Sequence, residues 1–370
     1  MIPVAEPRLA EEDLARALDC LKTGWISSAG KYIEEFERSW AAYCRMQHGV
    51  AVSNGTVALD IAIRLLDLAP GDEVILPSFT IISCGQAITM NGGVPVLVDS
   101  EPQYWQMDVS QLESRITPKT RAIMVVHIYG HPADMDPIIH LCRRHNLTLI
   151  EDAAEVHGAL YKGRPCGSFA DITTFSFYAN KLITTGEGGM LLFRDESLAQ
   201  RARSLRNLCF QPKRRFLHDE LGNNYRLTNL QAALGVGQVS RIEEIVKRKR
   251  EIAHCYNELL ADLPGVQLHN EAAWARHVYG VYGILLEPRF GEDCSALTNE
   301  LSKRGIETRP FFLGMHEQPV FQRMGLFQGE RYPVAHNMAR RGFYIPSGLT
   351  ISDEQIRSVA GGVRAVLEKL

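Results

Sequence analysis

A lysine followed by a glycine-rich turn is the first feature of this sequence that could carry chemistry. Lys181 comes soon after a buried strand predicted at 172–177, and Gly186, Gly188 and Gly189 follow it. Glycines let a backbone approach a ligand closely, and a desolvated lysine amine can form a Schiff base with a carbonyl group. An ATP-binding loop does not fit, because there the lysine follows the glycines. The pattern indicates covalent chemistry at Lys181, with an ordinary surface lysine as the alternative.

A pair of acidic residues gives the second candidate site. Asp152 ends the apolar stretch 147–152, and Glu155 follows three residues later. Ligands of α/β proteins bind at the carboxyl ends of strands. A carboxylate there can pair with the protonated ring nitrogen of pyridoxal phosphate, or bind a metal together with Glu155 and His157. A helix N-cap at Asp152 is a third interpretation, and the acidic pair alone does not decide among them.

A strand-to-helix turn gives a candidate phosphate site. Gly55 and Thr56 lie between a strand predicted at 49–52 and a helix predicted from Val57. The free N–H groups at a helix N-terminus bind phosphate. An ordinary capped turn is the alternative interpretation.

The elements that must position these residues are short apolar runs that alternate with helical segments. Several of the runs are apolar throughout, as expected of parallel strands whose two faces are covered by helices. The alternation therefore predicts an α/β fold with a mostly parallel sheet. Strands are predicted at 49–52, 73–76, 94–99, 122–127, 147–152, 172–177 and 190–193, and helices at 57–68, 82–91 and 136–145.

The character of the sequence changes near residue 240. A long charged helix is predicted at 241–260, followed by a β-like segment at 278–286 and helices at 294–304 and 353–368. We therefore predict a large domain at 1–240 and a smaller C-terminal α+β domain at 241–370.

Composition excludes several other classes of protein. A net charge of -3 gives no global basic field for nucleic acid, and no apolar run approaches the ~20 residues that span a membrane. The N-terminus lacks the basic and apolar regions of a signal peptide. Eight scattered cysteines without a CxxC pair predict reduced thiols in a cytoplasmic protein, and no metal site is predicted.

Five stretches, in this order, resemble one known family. They are similar to the nucleotide-sugar aminotransferases of the DegT class, within the fold-type I pyridoxal-phosphate enzymes. The resemblance runs through nearly the whole chain, and its most specific parts are SNGTVAL (53–59), VHIYGHPADMD (126–136), EDAAEVHG (151–158), SFYANKLITTGEGGM (176–190) and NNYRLTNLQAALG (223–235).

The resemblance implies three catalytic residues. Lys181 would carry pyridoxal phosphate as a Schiff base and move protons as general base and acid. Asp152 would pair with the ring nitrogen, and Glu155 would lie near the ring hydroxyl. Dehydratases of the family carry histidine in place of the lysine, so Lys181 favours transamination.

The resemblance also implies binding residues. Asn224 would reach the phosphate of the neighbouring subunit's cofactor, which implies a homodimer with shared active sites. Many members stack an aromatic ring on the cofactor from the position of Ile81, which can offer only apolar contact. His316 falls where the family contacts the nucleotide-sugar, although a loop histidine without that role remains an alternative. The residues implied to hold the cofactor phosphate are Gly55, Thr56 and Ser176.

The expected substrates follow from the same resemblance. L-glutamate is the usual amino donor of the family, and surface-polysaccharide or O-antigen assembly is the usual pathway. The stretch 176–190 is most similar to members that form perosamine by aminating C4 of GDP-4-keto-6-deoxymannose. A UDP- or dTDP-linked 3-keto or 4-keto sugar, an 8-keto octulosonate, and a non-catalytic regulator that binds pyridoxal phosphate remain alternatives.

Overall fold

The computed structural model describes residues 1–211 and 213–369. Seven strands form the large sheet of this described part, in the order β1-β9-β8-β5-β4-β2-β3. The strands are β1 (His48–Val52), β2 (Glu73–Pro77), β3 (Val94–Val98), β4 (Thr120–Val126), β5 (Thr148–Asp152), β6 (Leu160–Tyr161), β7 (Arg164–Pro165), β8 (Ile172–Ser176), β9 (Gly189–Phe193), β10 (Val266–Leu268), β11 (Ala275–Arg276), β12 (Tyr282–Leu286), β13 (Arg309–Pro310) and β14 (Gly342–Ile345).

The predicted mostly parallel sheet is confirmed. Strands β3, β2, β4, β5 and β8 pair in parallel, and β9 runs antiparallel to both β8 and β1. Each of the seven strands predicted in this region is present, with ends that differ by no more than two residues. Because β4, β5 and β8 are parallel neighbours, their carboxyl ends lie at the same edge of the sheet.

Both faces of this sheet are buried under helices, as predicted. On β4, Met124 belongs to the core that includes α3 and α4, whereas Ile123 and Val125 belong to the core that includes α6. This alternation is the period of two expected of a strand covered on both sides. The α-helices are α1 (Glu11–Thr23), α2 (Lys31–Tyr43), α3 (Gly55–Arg64), α4 (Ile82–Met90), α5 (Leu112–Arg115), α6 (Met135–His145), α7 (Glu196–Arg206), α8 (Asn229–Ser240), α9 (Ile242–Leu260), α10 (Ser295–Lys303), α11 (Pro319–Arg323), α12 (Pro333–Arg341) and α13 (Asp353–Leu367).

A second, antiparallel sheet lies in the C-terminal part of the chain. Its strand order is β10-β12-β14-β13, and its core includes residues of α9, α10 and α13. The β-like segment predicted at 278–286 is a strand only from Tyr282, because Tyr279 has a φ of 50° that no strand accommodates. The helices predicted at 241–260, 294–304 and 353–368 are confirmed as α9, α10 and α13.

The domain boundary at 240/241 stays a prediction. Ile2 pairs with Ile306, and Val4 accepts a hydrogen bond from Ser347. The first residues of the chain therefore pack on its C-terminal part. Helix α8 ends at Ser240 and α9 begins at Ile242, where the boundary was predicted. Among the helices that the structure describes, none is both long enough and apolar enough to cross a membrane.

Candidate active site

A cavity of about 650 Å³ lies at the carboxyl ends of β4, β5 and β8. The N-termini of α3 and α4 reach it from one face of the sheet, and residues that precede β9 and β12 contribute to its wall. Of the nine site residues predicted from the sequence, seven line this cavity: Gly55, Thr56, Ile81, Asp152, Glu155, Ser176 and Lys181.

Lys181 forms an ion pair inside the cavity. Its Nζ lies 3.1 Å from Glu155 Oε1, and both side chains are mostly buried. The other oxygen of Glu155 accepts a hydrogen bond of 2.8 Å from the backbone N–H of Tyr129. Tyr129 has a φ of 57°, a conformation that a bulky residue adopts only when its surroundings enforce it. The loop after β4 thus orients Glu155, which in turn orients the amine of Lys181.

Asp152 is a buried carboxylate at the end of β5. Its Oδ1 accepts a 3.1 Å hydrogen bond from the N–H of Ala154, and its Oδ2 accepts a 3.2 Å hydrogen bond from the thiol of Cys84. Burial raises the pKa of Asp152, and the N–H of Ala154 and the Cys84 thiol partly counteract it. The N-cap interpretation of Asp152 is wrong, because residues 153–158 form turns and no helix begins there.

Helix α3, whose N-terminus is the predicted phosphate site, begins at Gly55, two residues earlier than predicted. The side chain of Asn54 caps the helix by accepting a 3.0 Å hydrogen bond from the N–H of Val57. A Cβ on Gly55 would lie 2.8 Å from Cβ of Ser176, so only glycine lets this helix end approach β8 so closely. The hydroxyl of Thr56 lies 3.1 Å from that of Ser83, the second residue of α4. Hydroxyls and free N–H groups therefore converge at one end of the cavity.

The remaining wall of the cavity is apolar. Ile81, which precedes α4, is 40% exposed and contributes its side chain to the lining. Across the cavity, the rings of Tyr129 and Phe312 stack with centroids 5.4 Å apart. Tyr344 and Val281 complete this wall from the C-terminal part of the chain.

Two predicted site residues lie outside the cavity lining. Nδ1 of His316 lies 2.7 Å from the hydroxyl of Ser78, and burial lowers the pKa of its ring. Asn224 pairs through its backbone with Asn207 on the segment that follows α7. The sugar contact of His316 and the cross-subunit contact of Asn224 stay predictions.

His157 is the third residue of the alternative metal site that includes Asp152 and Glu155, and it lies in a different environment from theirs. Its ring packs against Trp40, Phe175 and Phe177, with centroids 5.2 to 5.4 Å apart. Burial lowers the pKa of His157 to about 3. The ring is therefore part of an aromatic core and is not in the lining of the cavity that holds Asp152 and Glu155.

Three residues of the site were not predicted from the sequence. Tyr129 lies within the stretch 126–136, and nothing in that stretch indicates the positive φ of its backbone. Ser83 and Cys84 are the second and third residues of α4, where Ser83 contacts α3 and Cys84 contacts the end of β5. Their contacts join residues far apart in the chain, so only the fold brings them together.

An α/β fold in which a lysine and a buried aspartate line one cavity at the strand ends is the architecture of a pyridoxal-phosphate-dependent aminotransferase. The chain belongs to the DegT/DnrJ/EryC1/StrS aminotransferase family, whose profile matches residues 7–364. It is therefore a sugar aminotransferase that uses pyridoxal phosphate.

Individual relatives are similar over nearly their full length. The GDP-perosamine synthase of Escherichia coli O157:H7 is 42% identical, with 96% of this chain and 95% of the relative covered. The GDP-perosamine synthase of Caulobacter vibrioides is 40% identical, with 99% and 98% covered. The PLP form of Spr1654 from Streptococcus pneumoniae, a proposed sugar aminotransferase, superimposes with a TM-score of 0.92 at 26% identity and covers 100% and 99%.

The residues of the cavity fit pyridoxal phosphate. Asp152 has no cationic side chain within ion-pairing distance among the described residues, which suits a protonated ring nitrogen. The hydroxyl of Thr174, also in the lining, is buried without a hydrogen-bond partner in the described part of the chain. The N-terminus of α3, with Gly55 and Ser176 in close contact, offers a site of the kind that binds phosphate.

Proposed function

We propose that the protein transfers an amino group from L-glutamate to C4 of GDP-4-keto-6-deoxymannose, forming GDP-perosamine. The observation that carries this proposal is the similarity to two GDP-perosamine synthases at 40–42% identity over nearly the whole chain. The stretch 176–190, which contains the lysine and the glycine turn, resembles the same members of the family.

The proposed role of each residue follows from its position in the cavity. Lys181 attaches the cofactor and, when released, moves a proton between the cofactor and the substrate carbon. Its ion pair with Glu155 supports this role, because it holds the amine in the cavity at 3.1 Å. Asp152 stabilises the protonated form of the ring nitrogen, since a buried carboxylate favours a cationic partner. The phosphate group is held by Gly55, Thr56 and Ser176, with Ile81 on the ring face.

Each of these residues has a separate role in the proposed reaction. Bound pyridoxal phosphate supplies a ring that accepts the electrons of the substrate carbon–hydrogen bond. Asp152 keeps that ring electron-poor by retaining a proton on the nitrogen. Lys181 serves as general base and then as general acid, which contributes about 10²- to 10⁴-fold in reactions of this kind.

The first experiment separates the cofactor chemistry from the choice of sugar. The protein is loaded with pyridoxal phosphate, converted to the amine form with L-glutamate, freed of excess reagent and mixed with GDP-4-keto-6-deoxymannose. We expect the yellow form of the cofactor to return, together with a product whose mass shows an amine in place of the ketone.

Other outcomes have distinct meanings. Bleaching by L-glutamate without recovery on the GDP-sugar would contradict the proposed substrate, and UDP- and dTDP-linked ketones and an 8-keto octulosonate are then tested in the same way. Failure of folded protein to form the yellow species would contradict the role of Lys181. Binding of the cofactor without turnover of any amino donor would favour a regulator.

We further propose a homodimer with shared active sites, in which Asn224 contacts the phosphate of the partner's cofactor. An apolar stripe on α1 supports this proposal, because Leu14, Leu18 and Leu21 are 48–58% exposed at helical spacing. Trp25 extends the stripe and is 60% exposed. Burial of such a surface against a second copy would stabilise the assembly.

Subunit mixing tests the shared site. Lys181→Ala and Asn224→Asp variants are each expected to be nearly inactive at limiting cofactor, the second because it places a negative charge beside the phosphate. Co-refolding equal amounts gives mixed dimers with one intact site, so about a quarter of wild-type activity should return. No recovery from a dimeric mixture, or a fully active monomer, would contradict the shared site.

We also propose a cytoplasmic location. Seven of the eight cysteines are buried as free thiols in the described part of the chain, which supports a reducing compartment. Fractionation of the source cells tests this directly, and recovery of the protein from the oxidising or membrane fraction would contradict it.

A further inference from the structure

Cys84 lies in direct contact with the carboxylate proposed to bind the cofactor ring. It is the third residue of α4, fully buried, and its Sγ donates a 3.2 Å hydrogen bond to Oδ2 of Asp152. The two residues are 68 positions apart, so this contact exists only because α4 packs over the end of β5. Neither the sequence motifs nor the proposed function assigns a role to this thiol.

The surroundings of Cys84 keep the shared proton on its sulfur and not on the carboxylate of Asp152. Burial, followed by the charge of Asp152, raises the pKa of the Cys84 thiol well above its usual range, so the group stays an S–H donor. The hydroxyl of Thr80 lies 3.7 Å from Sγ and can donate to it. A short chain of donors therefore runs from Thr80 through Cys84 to Oδ2 of Asp152.

The two oxygens of Asp152 are thus held by different donors. The N–H of Ala154 binds Oδ1 at 3.1 Å and the thiol binds Oδ2, so the carboxylate cannot rotate without losing a hydrogen bond. We infer that Cys84 is a positioning residue that orients Asp152 toward the ring nitrogen of the cofactor.

This inference rests on the proposed role of Asp152, and it makes a prediction for cofactor binding. Removal of the thiol leaves Oδ2 without its buried donor and lets the carboxylate turn away from the ring. A hydrogen bond to a charged group contributes enough that its loss should weaken binding about tenfold. A serine restores a donor at the same position, so its effect should be small.

The test compares purified apoproteins with Cys84→Ala and Cys84→Ser. Each is titrated with pyridoxal phosphate by visible absorbance, and the ring nitrogen of ¹⁵N-labelled cofactor is observed by NMR. We expect Cys84→Ala to raise the Kd about tenfold and to shift the nitrogen signal toward the unprotonated ring. Cys84→Ser should keep the signal and stay within about twofold of the wild-type Kd.

A second buried cysteine supplies the matched control. Cys142 lies on α6, in the core on the opposite face of the sheet, and is 5% exposed. Cys142→Ala and Cys142→Ser make the same chemical changes away from the cavity, and both should leave the Kd and the nitrogen signal unchanged. Unfolding of all four apoproteins by urea reports any general loss of stability.

Two results would overturn the inference. One is a Cys84→Ala protein with the wild-type Kd and nitrogen signal. The other is a Cys84→Ser protein that is as defective as Cys84→Ala while unfolding at the wild-type urea concentration. Asp152→Asn in the same assays isolates the underlying proposal. If Asp152→Asn keeps the protonated ring signal, the proposed role of Asp152 is wrong. If Asp152→Asn loses that signal while Cys84→Ala keeps it, only the proposed role of Cys84 is wrong.

Discussion

The chemistry of this protein depends on single side chains whose types could be recognised before the structure. Lys181, Asp152 and Glu155 line one cavity, because each lies near the end of a parallel strand and such ends share an edge of the sheet. Cys84 was not predictable, since its importance comes from a contact across 68 residues and not from its neighbours in sequence. Tyr129 was missed for a related reason, because its φ of 57° is set by tertiary packing.

Replacement of Lys181 is the most direct test at this scale. Lys181→Ala removes the amine that is proposed to attach the cofactor and move the proton, so the reaction with L-glutamate should slow by at least about 10³-fold. Lys181→Arg keeps a positive charge beside Glu155 but cannot form the covalent bond, and it should be as slow. The rate of bleaching of the yellow cofactor measures both.

An exposed lysine separates this effect from a loss of charge. Lys162 pairs with Asp136 at 2.6 Å on the surface, and its side chain is 53% exposed. Lys162→Ala should bleach at the wild-type rate. A Lys181→Arg protein that transaminates normally would show that the charge of this residue matters and its nucleophilicity does not.

At the level of elements, the strands were predictable and several helices were not. Short runs that are mostly apolar define most strands of the large sheet, because strands covered on both faces need few polar residues. Helix α8 left no comparable pattern, since it is buried on several sides and contains Gly235 and Gly237, which disfavour a helix. The ring of Phe36 explains Gly235, where a Cβ would lie 2.6 Å from it.

The N-cap of α3 connects the stability of an element to its proposed function. Asn54→Ala removes the acceptor for the N–H of Val57 and should destabilise the apoprotein by about 1 kcal/mol. Because the same helix end is proposed to hold the cofactor phosphate, the Kd for pyridoxal phosphate should also rise several-fold. Urea unfolding measures the first effect and visible titration measures the second.

The cap of α13 is the matched control for this experiment. The hydroxyl of Ser352 accepts a 3.2 Å hydrogen bond from the N–H of Gln355, and neither residue lines the cavity. Ser352→Ala should cost a similar ~1 kcal/mol without changing the Kd. Equal Kd values for Asn54→Ala and wild type would remove α3 from the proposed phosphate site.

For the molecule as a whole, a cluster of buried histidines joins the two sheets. Nδ1 of His277 accepts a hydrogen bond from the N–H of Tyr279, so its Nε2 donates to His269, 3.2 Å away. His269 then donates to the carbonyl of Tyr104 at 3.0 Å. The ring of His131 lies 5.3 Å from that of His277. The two contacts in which Nδ1 of His277 and Nδ1 of His269 accept require these imidazoles to be neutral.

The cluster predicts a loss of stability in mild acid. Burial lowers the pKa of His131 to about 4 and of His269 to about 3, and lowers the pKa of His277 well below its usual value. The unfolded chain binds protons near pH 6.5 and the folded chain does not, so stability is full above that pH and falls as the pH decreases toward the folded pKa values. Three such groups should lower the free energy of unfolding by about 4 kcal/mol at pH 5.5.

Two charged groups face the cluster and do not reverse this effect. Glu271 and Arg250 form an ion pair with an N–O distance of 2.7 Å beside His277, so their opposite charges largely offset each other at the rings. His277→Asn keeps an acceptor for the N–H of Tyr279 and removes one titrating ring. The histidine contribution to the slope of stability against pH should therefore decrease by about a quarter, because buried His157, whose pKa is also lowered to about 3, is a fourth such ring. His140→Asn on α6, where solvent already reaches the ring, should leave the slope unchanged. Urea unfolding at several pH values from 7.5 to 5.5 measures each slope, and a His277→Asn slope equal to that of wild type would place the acid sensitivity outside this cluster.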